Sequence, residues 1–308
     1  MILLAGIASE PPLTLAIAAA ERRGLAHRVL HQRDTGSAGI TLEIDGDRSR
    51  GVIELRDGPL ALEEVTGVYH RLTDPNALPE ARRDPEGARR ARAAHAILMD
   101  WLETTPALVL NRAGPSAGNA SKPAQALQLA RLGWTVPATL ITSDPEEALA
   151  FRARHGRAIF KSASGVRSIV TEFTAANAAR LWRLRVLPTQ FQALVEGIDV
   201  RVHVVGDRVF PTEAASHAID YRYAGRTGPA ARLRATTLPD DVAARCRATA
   251  RALGLPLCGI DLRRRPDGEH VCFEVNPSPA YSWYEEETGQ PIADAIIAHL
   301  AGDATVPH

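Results

Sequence analysis

Carboxylate and amide side chains alternate with apolar ones in two segments near residue 270. In the segment VCFEVN (271–276), a half-buried strand would place Glu274 and Asn276 on one face with Cys272, and the remaining apolar side chains on the other. The upstream segment GIDL likewise sets Asp261 between two apolar residues. Oxygen donors gathered on one face are the ligands that a hard cation such as Mg²⁺ prefers.

The turn between these segments predicts that the two carboxylates face each other. Pro266, Asp267 and Gly268 form a turn signal, and Asp-Gly is the preferred centre of a two-residue hairpin loop. A turn centred on Asp267 and Gly268 pairs Asp261 with Glu274 across the two strands. Like charges directly opposite each other repel, so this pairing needs either solvent or a cation. A solvated hairpin face is the alternative, and the apolar neighbours favour the metal site.

The chain is almost free of lysine. Among its 36 lysine and arginine residues, only Lys122 and Lys161 are lysines. A lysine ammonium is a compact point charge that can approach a phosphate oxygen end-on, unlike the planar guanidinium of arginine. Lys161 also opens the segment KSASGVRSIV, in which the backbone near Ser164 and Gly165 could approach a phosphate. A plain hairpin turn is the alternative for that segment, so the lysines are only nominated as phosphate ligands.

A third set of polar residues lies on the predicted strand DVRVHVV (199–205). Its valines form an apolar face, while Asp199, Arg201 and His203 share the other. Such residues commonly face water, and for His203 solvent exposure is the favoured interpretation. The arginine-rich segment around Arg222 (220–234) suits either anionic groups or solvent.

Composition argues against several classes of protein. The formal net charge is zero, which gives no global attraction to nucleic acid or to membrane surfaces. No segment reaches the ~18 apolar residues of a membrane helix, and the N-terminus has no basic leader. The three cysteines are too few for a disulfide framework. We therefore expect a cytoplasmic protein without nucleic-acid or membrane partners, and the sequence leaves a homo-oligomer open.

The order of these features resembles that of ATP-grasp ligases, and most closely the RimK-like and glutathione-synthetase-like branch. The resemblance rests on the two lysines, on FQALVEGIDVR, on DYRYAG and on GIDLRR with FEVNPSP, and it covers residues from about 111 to 300. The segments VTGVYHRLTDP and YSWYEEETGQPI also resemble the graspetide (microviridin-type) ligases, which crosslink precursor peptides. The resemblance implies a protein of the α/β class with the ATP-grasp fold. Its parts would be an N-terminal pre-ATP-grasp α/β domain (1–110), a central subdomain (111–192) and a C-terminal subdomain (193–308) with the metal site.

The resemblance also implies a role for each matching residue. ATP would be bound by Lys122, Lys161, Ser164 and Gly165 at its phosphates, by Gln192 and the backbone of Ala193 and Leu194 at its adenine, and by Asp199 at its ribose. Arg201 and Arg222 would neutralise the transferring phosphoryl group, and Asp261, Glu274 and Asn276 would hold Mg²⁺, or Mn²⁺ in its place.

The activity implied by the resemblance is ATP-dependent ligation of a carboxylate to an amine or hydroxyl, through an acyl phosphate and with release of ADP. The substrate would be a peptide or an amino acid that carries the carboxylate, together with a nucleophile. Two alternatives stay open at this point: a ligase that joins small amino acids, and a regulator that binds ATP in the same fold without catalysis.

Overall fold

A computed structural model describes residues 1–162, 170–216 and 231–302. The chain begins with a parallel sheet that is covered by helices. The order in the sheet is β2-β1-β6-β7. Its central strand is apolar and buried throughout, as is typical of parallel sheets with both faces covered. The elements are β1 (Ile2–Gly6), α1 (Pro11–Arg22), β2 (His27–His31), β6 (Gly67–His70) and β7 (Leu108–Leu110).

A small antiparallel sheet and a long helix pack together on one side of this parallel sheet. The sheet consists of β3 (Ile40–Asp45), β4 (Arg48–Leu55) and β5 (Gly58–Ala61). The long arginine- and alanine-rich helical region is divided into α2 (Glu80–Arg83) and α3 (Pro85–Thr104). The break is at Asp84, because this residue is extended and its side chain accepts a hydrogen bond from the amide of Gly87 (2.9 Å) as the cap of α3.

An antiparallel sheet of order β10-β9-β11-β8 forms the middle of the chain. Three aromatic side chains contact one another on the face that α6 covers: Phe160 of β9, Phe191 of β11, and Phe173, which directly follows β10. The elements of this part are α4 (Ala113–Ser116), α5 (Lys122–Arg131), β8 (Thr139–Thr142), α6 (Pro145–His155), β9 (Ala158–Ser162), β10 (Thr171–Glu172), α7 (Ala175–Ala178) and β11 (Thr189–Ala193).

The last sheet is antiparallel and has the order β14-β13-β12-β15-β16. One of its faces is apolar and packs on α8, and the opposite face carries most of the polar residues considered below. The last helix, α10, packs on α1 and so joins the end of the described chain to its beginning. The elements are β12 (Ile198–Val205), β13 (Arg208–Ala215), β14 (Arg232–Ala235), α8 (Asp240–Ala252), β15 (Leu257–Arg264), β16 (His270–Asn276), α9 (Ser282–Thr288) and α10 (Ile292–Ala301).

The predicted domain boundaries near residues 110 and 192 fall where one sheet gives way to the next, and they stay predictions. Within the described ranges, no helix combines the length and the apolar character that a bilayer crossing requires.

Candidate active site

The two carboxylates of the β15–β16 hairpin face each other as predicted. Asp261 pairs with Glu274, and Gly259 pairs with Asn276. The Asn276 amide nitrogen donates to Asp261 Oδ2 (3.1 Å) and to Glu274 Oε1 (3.3 Å). Turning this amide over would present its oxygen instead, so that the three side chains would offer the all-oxygen set that suits Mg²⁺.

The predicted register arises from two offsets that cancel. Near the turn, Arg264 lies opposite His270, one residue away from the predicted pairing. The Arg265 amide donates to Glu269 O (2.8 Å) and closes a loop of three residues, 266–268, in which Gly268 has a φ of 89°. A bulge then shifts the pairing back between Asp261 and the turn, with Phe273 as the additional residue. The prediction of a two-residue turn was therefore wrong, although the facing carboxylates that were inferred from it are present.

The bulge also changes which side chains share the face of the carboxylates. Cys272 and Val275 are fully buried in the apolar core below the sheet, whereas Phe273 lines the same pocket as Glu274. The prediction of simple alternation, with Cys272 beside Glu274 and Phe273 on the opposite face, is thus wrong. Cys272 thus belongs to the apolar core, and burial raises the pKa of its thiol well above the ordinary value.

Arg201 reaches this site from the neighbouring strand β12. It pairs with Asp261 in the sheet, and its NH1 atom donates to Asp261 Oδ1 at 2.5 Å. The Arg201 and Asp261 side chains are only 8% and 21% exposed, so the ion pair lies largely out of solvent. The guanidinium also lies over the ring of Tyr284, 6.0 Å from its centre. Arg201 is therefore fixed beside the carboxylate pair.

His203 is buried, contrary to the prediction that it faces water. Its ring contacts that of Tyr284 at 4.8 Å between centres, and neither ring nitrogen has a hydrogen-bond partner among the residues that the structure describes. Burial, with a smaller contribution from the positive charge of Arg201, lowers the pKa of His203 well below its ordinary value. The imidazole is neutral at neutral pH, and it packs against Tyr284, the ring over which the Arg201 guanidinium lies.

A single pocket connects the carboxylate pair to the middle sheet. Val195, Arg263 and Phe273 line it and were not predicted as site residues. Of the residues nominated from the sequence, those that line the same pocket are Lys161, Gln192, Ala193, Leu194, Asp199, Asp261 and Glu274.

Two backbone amides between β11 and β12, at the residues predicted to contact adenine, already donate hydrogen bonds within the protein. The Ala193 amide donates to Ala138 O and the Leu194 amide to Arg157 O, each at 2.9 Å. The backbone groups of this segment that could bind an adenine are therefore the carbonyl oxygens of Ala193 and Leu194 and the amide of Val195. Gln192 Oε1 is buried at the pocket and has no donor among the described residues, so an adenine amino group would complete its hydrogen bonding.

Arg263 joins this segment to Asp199. Its Nε and NH2 atoms donate to Asp199 Oδ1 (2.9 and 2.6 Å), and its NH1 atom donates to Val195 O (2.8 Å). The guanidinium also lies over the Phe273 ring, 5.4 Å from its centre. The carboxylate that was predicted to bind ribose is thus oriented by an arginine that was not nominated from the sequence, although it lies two residues after Asp261 and therefore on the same face.

Lys122 is not among the residues that line the pocket. It is the first residue of α5, whose cap is Ser121, a side chain that accepts from the amide of Ala124 (3.4 Å). Gln125 in the same helix bonds to both the amide and the carbonyl of Val275, at 3.0 and 2.9 Å. Helix α5 therefore holds strand β16 between its two metal-ligand candidates, and Lys122 lies one turn away from that contact.

The segment after Asn276 is held by the N-terminal part of the chain. Arg71 donates to Ser278 Oγ and to Pro279 O, each at 3.1 Å, while its ion pair with Glu10 has an N–O distance of 2.6 Å. Asn111 donates to Pro277 O at 2.5 Å. These bonds fix the chain where it leaves the hairpin.

Three of the nominated residues lie outside the described part of the chain: Ser164 and Gly165 in 163–169, and Arg222 in 217–230. Within the described residues, no group of three or more His, Cys, Asp or Glu side chains could hold a metal. A cation at Asp261 and Glu274 would therefore have two carboxylates and one amide from the protein, which leaves coordination positions for water and phosphate, as Mg²⁺ requires.

Comparison with known proteins identifies the family of the chain. Residues 120–300 match the RimK-like ATP-grasp domain. A probable alpha-L-glutamate ligase of Xanthomonas oryzae pv. oryzae is 34% identical over 186 residues, which are 56% of this chain and 61% of that protein. The chain thus spans less than two thirds of that relative.

Two solved structures are similar over nearly the whole chain. A RiPP-associated ATP-grasp ligase of Chryseobacterium gregarium, in complex with ADP and a leader and core peptide, has a TM-score of 0.84 at 20% identity and covers 99% of this chain and 97% of its own. The ATP-grasp ligase PsnB, complexed with a phosphomimetic variant of a minimal precursor, Mg and ADP, has a TM-score of 0.80 at 24% identity, with 99% and 98% covered. At these identities the likeness shows the fold, which is the ATP-grasp fold predicted from the sequence. Because the RimK-like ATP-grasp domain matches residues 120–300, which are more than half of the chain, the chain belongs to the RimK-like ATP-grasp family.

Proposed function

We propose that this protein is an ATP-dependent ligase that activates a carboxylate as an acyl phosphate and joins it to an amine or hydroxyl, with release of ADP. The single observation that carries the proposal is the contact of Arg201 with Asp261, opposite Glu274, at one end of a pocket that also contains Lys161. Phosphoryl transfer depends mostly on positioning and on neutralising charge, and this end of the pocket combines metal ligands with fixed cations.

Each residue that the sequence nominated has a part in the proposal. Asp261, Glu274 and Asn276 would hold Mg²⁺, which when bound would offset the negative charge of the phosphates. Lys161 and Arg201 add positive charge where the γ-phosphoryl group would move. At the other end, Gln192 and the 193–195 backbone would bind adenine, and Asp199 would accept from the ribose hydroxyls. Lys122, Ser164, Gly165 and Arg222 stay candidates from the family resemblance.

The proposed reaction has two steps that balance. A substrate carboxylate oxygen attacks the γ-phosphorus of ATP, the bond to the bridging oxygen breaks, and ADP leaves. The amine or hydroxyl then attacks the acyl carbon, loses its proton, and displaces phosphate, which retains the former carboxylate oxygen. The organic product is therefore lighter by one water for each bond formed.

A peptide is the substrate that we favour. Two solved structures that match this chain along almost its full length contain a leader and core peptide or a phosphomimetic variant of a minimal precursor. An amino acid is the second candidate, because the relatives with higher identity are named alpha-L-glutamate ligases. Their similarity covers only 56% of this chain, whereas the peptide-bound structures also match its N-terminal part.

The test is incubation of the protein with ATP, Mg²⁺ and either glutamate or a synthetic acidic peptide rich in Thr and Ser. Nucleotides are separated by chromatography and peptide masses are measured, with Asp261→Asn as the inactive control. ADP together with loss of water from the peptide supports the peptide ligase, and ADP with an added glutamate residue supports the amino-acid ligase. AMP as the main nucleotide product would contradict the mechanism.

A further inference from the structure

We propose that Gly259 is a positioning residue, whose missing side chain leaves the space in which the Arg201 guanidinium lies beside Asp261. The proposal rests on the proposed function, in which Arg201 offsets the charge of the transferring phosphoryl group. Gly259 itself has no group that could touch a substrate. It acts only through the position of the arginine.

The space that a side chain would need at this position is already filled. A Cβ atom added to Gly259 would lie 2.0 Å from Arg201 NH2, 2.4 Å from Cζ and 2.7 Å from Nε, where real Cβ atoms approach other atoms no closer than 3.0 Å. All three contacts are with the guanidinium of one residue. Any residue other than glycine therefore requires that this guanidinium moves.

The position of Gly259 in the sheet explains the contact. It lies on β15 between His203 of β12 and Asn276 of β16, two residues before Asp261 and therefore on the same face. The Arg201 side chain starts opposite Asp261 and lies across the strand at Gly259, next to Tyr284. A side chain at 259 would fill the floor of the site between the arginine and Asn276.

Backbone geometry does not require glycine here. Gly259 is absent from the residues with positive φ, so other residues could adopt its conformation. Glycine in the interior of a strand weakens the sheet, and it commonly marks a place where another group approaches closely. Here the approaching group is the end of a flexible side chain, so alanine is expected to be accepted by the fold while it displaces the guanidinium from Asp261.

The experiment is a double-mutant cycle of Gly259→Ala and Arg201→Ala, with Gly118→Ala as the control, since a Cβ at Gly118 meets nothing within 4 Å and its φ is not positive. In the presence of Arg201, we expect Gly259→Ala to lower kcat for ADP formation ~100-fold, the effect of losing one preorganised charge, with little change in KM for ATP. In the Arg201→Ala background the same change should cost less than about threefold.

Thermal unfolding of the same four proteins tests the geometry without any need for activity. Gly259→Ala should lower the unfolding temperature when Arg201 is present, and should leave it unchanged or raise it when Arg201 is alanine. Equal effects in both backgrounds, in kcat or in unfolding temperature, would overturn the proposal. If the wild-type protein forms no ADP with any carboxylate, the proposed function fails, and the unfolding cycle still decides the role of Gly259.

Discussion

Replacing Arg263 by leucine is expected to weaken ATP binding and to reduce its preference for ribose over deoxyribose. The Arg263 guanidinium makes two hydrogen bonds to Asp199 and one to the carbonyl of Val195. The Arg263 and Asp199 side chains are 16% and 18% exposed, so solvent screens this ion pair only in part. Leucine keeps most of the apolar stem and removes all three bonds.

The magnitude follows from these contacts. A hydrogen bond that involves a charged group contributes about 1.5–3 kcal/mol. If Asp199 is no longer oriented by Arg263, most of the free energy of its hydrogen bond to a ribose hydroxyl is lost. A loss of about 1.5–3 kcal/mol corresponds to roughly a 10- to 100-fold increase in the Kd for ATP. For 2′-deoxy-ATP the penalty should be smaller, because one of the hydroxyl groups that Asp199 would bind is already missing.

Calorimetric titration with ATP and with 2′-deoxy-ATP, both with Mg²⁺, measures this effect. Arg265→Leu is the matched control, because Arg265 is 44% exposed and pairs with Asp267 and Glu269 of the turn. An unchanged ratio of the two affinities in Arg263→Leu would refute the idea that Arg263 orients Asp199 toward a ribose. So would an equal change of that ratio in the control.

Three further predictions concern the metal ligands, the lysine and the buried histidine. Asp261→Asn and Glu274→Gln should each abolish ADP formation with the fold retained, because a Mg²⁺ site with two carboxylates cannot lose one; turnover at the wild-type rate in either variant would exclude the metal site. Lys161→Arg should impair ATP turnover nearly as strongly as Lys161→Ala, and wild-type affinity for ATP in the arginine variant would show that this lysine is incidental. Because burial lowers the pKa of His203, its stabilising effect is present above the unfolded value of about 6.5 and is lost as the pH falls below it. Unfolding temperatures between pH 7.5 and pH 5 should therefore fall less steeply in His203→Leu, and an unchanged slope would contradict this account.

The sequence was sufficient for the type of fold and for most of the site's composition. The alternation of valines in 199–205 and the position of Asp261 and Glu274 on facing strands were predicted from period-two patterns, which are set by the backbone itself. The burial of His203 was not predicted, because a polar residue on the functional face of a sheet can be covered by a distant segment. Here the covering residue is Tyr284, 81 positions further along the chain.

Arg263 lies on the face of Asp261, as alternation along β15 requires, but the pattern contains no sign of its pairing with Asp199 on the neighbouring strand. Phe273 could not be found from the pattern because its place at the pocket depends on the bulge. A bulge is decided by how the two strands pack on the core, and a turn signal such as Asp-Gly contains no information about it. The additional loop residue lies on the β15 side of the turn, and the additional residue at the bulge lies on β16. The two shift the strand pairing by one residue in opposite directions, so their effects on the pairing of Asp261 cancel. An argument from the turn alone reaches the right pair of carboxylates and assigns the wrong face to Phe273.

The bulge has a consequence for the site itself. A regular strand presents only every second residue to one face, so two neighbouring groups on that face are separated by about 6.6 Å along the strand. The bulge lets β16 present Phe273 and Glu274 to the pocket in succession, at about half that separation. The ring against which Arg263 lies and the carboxylate opposite Asp261 thereby belong to consecutive residues. Because Arg263 in turn holds Asp199 and Val195, one short hairpin fixes the distance between the nucleotide end and the proposed metal end of the pocket.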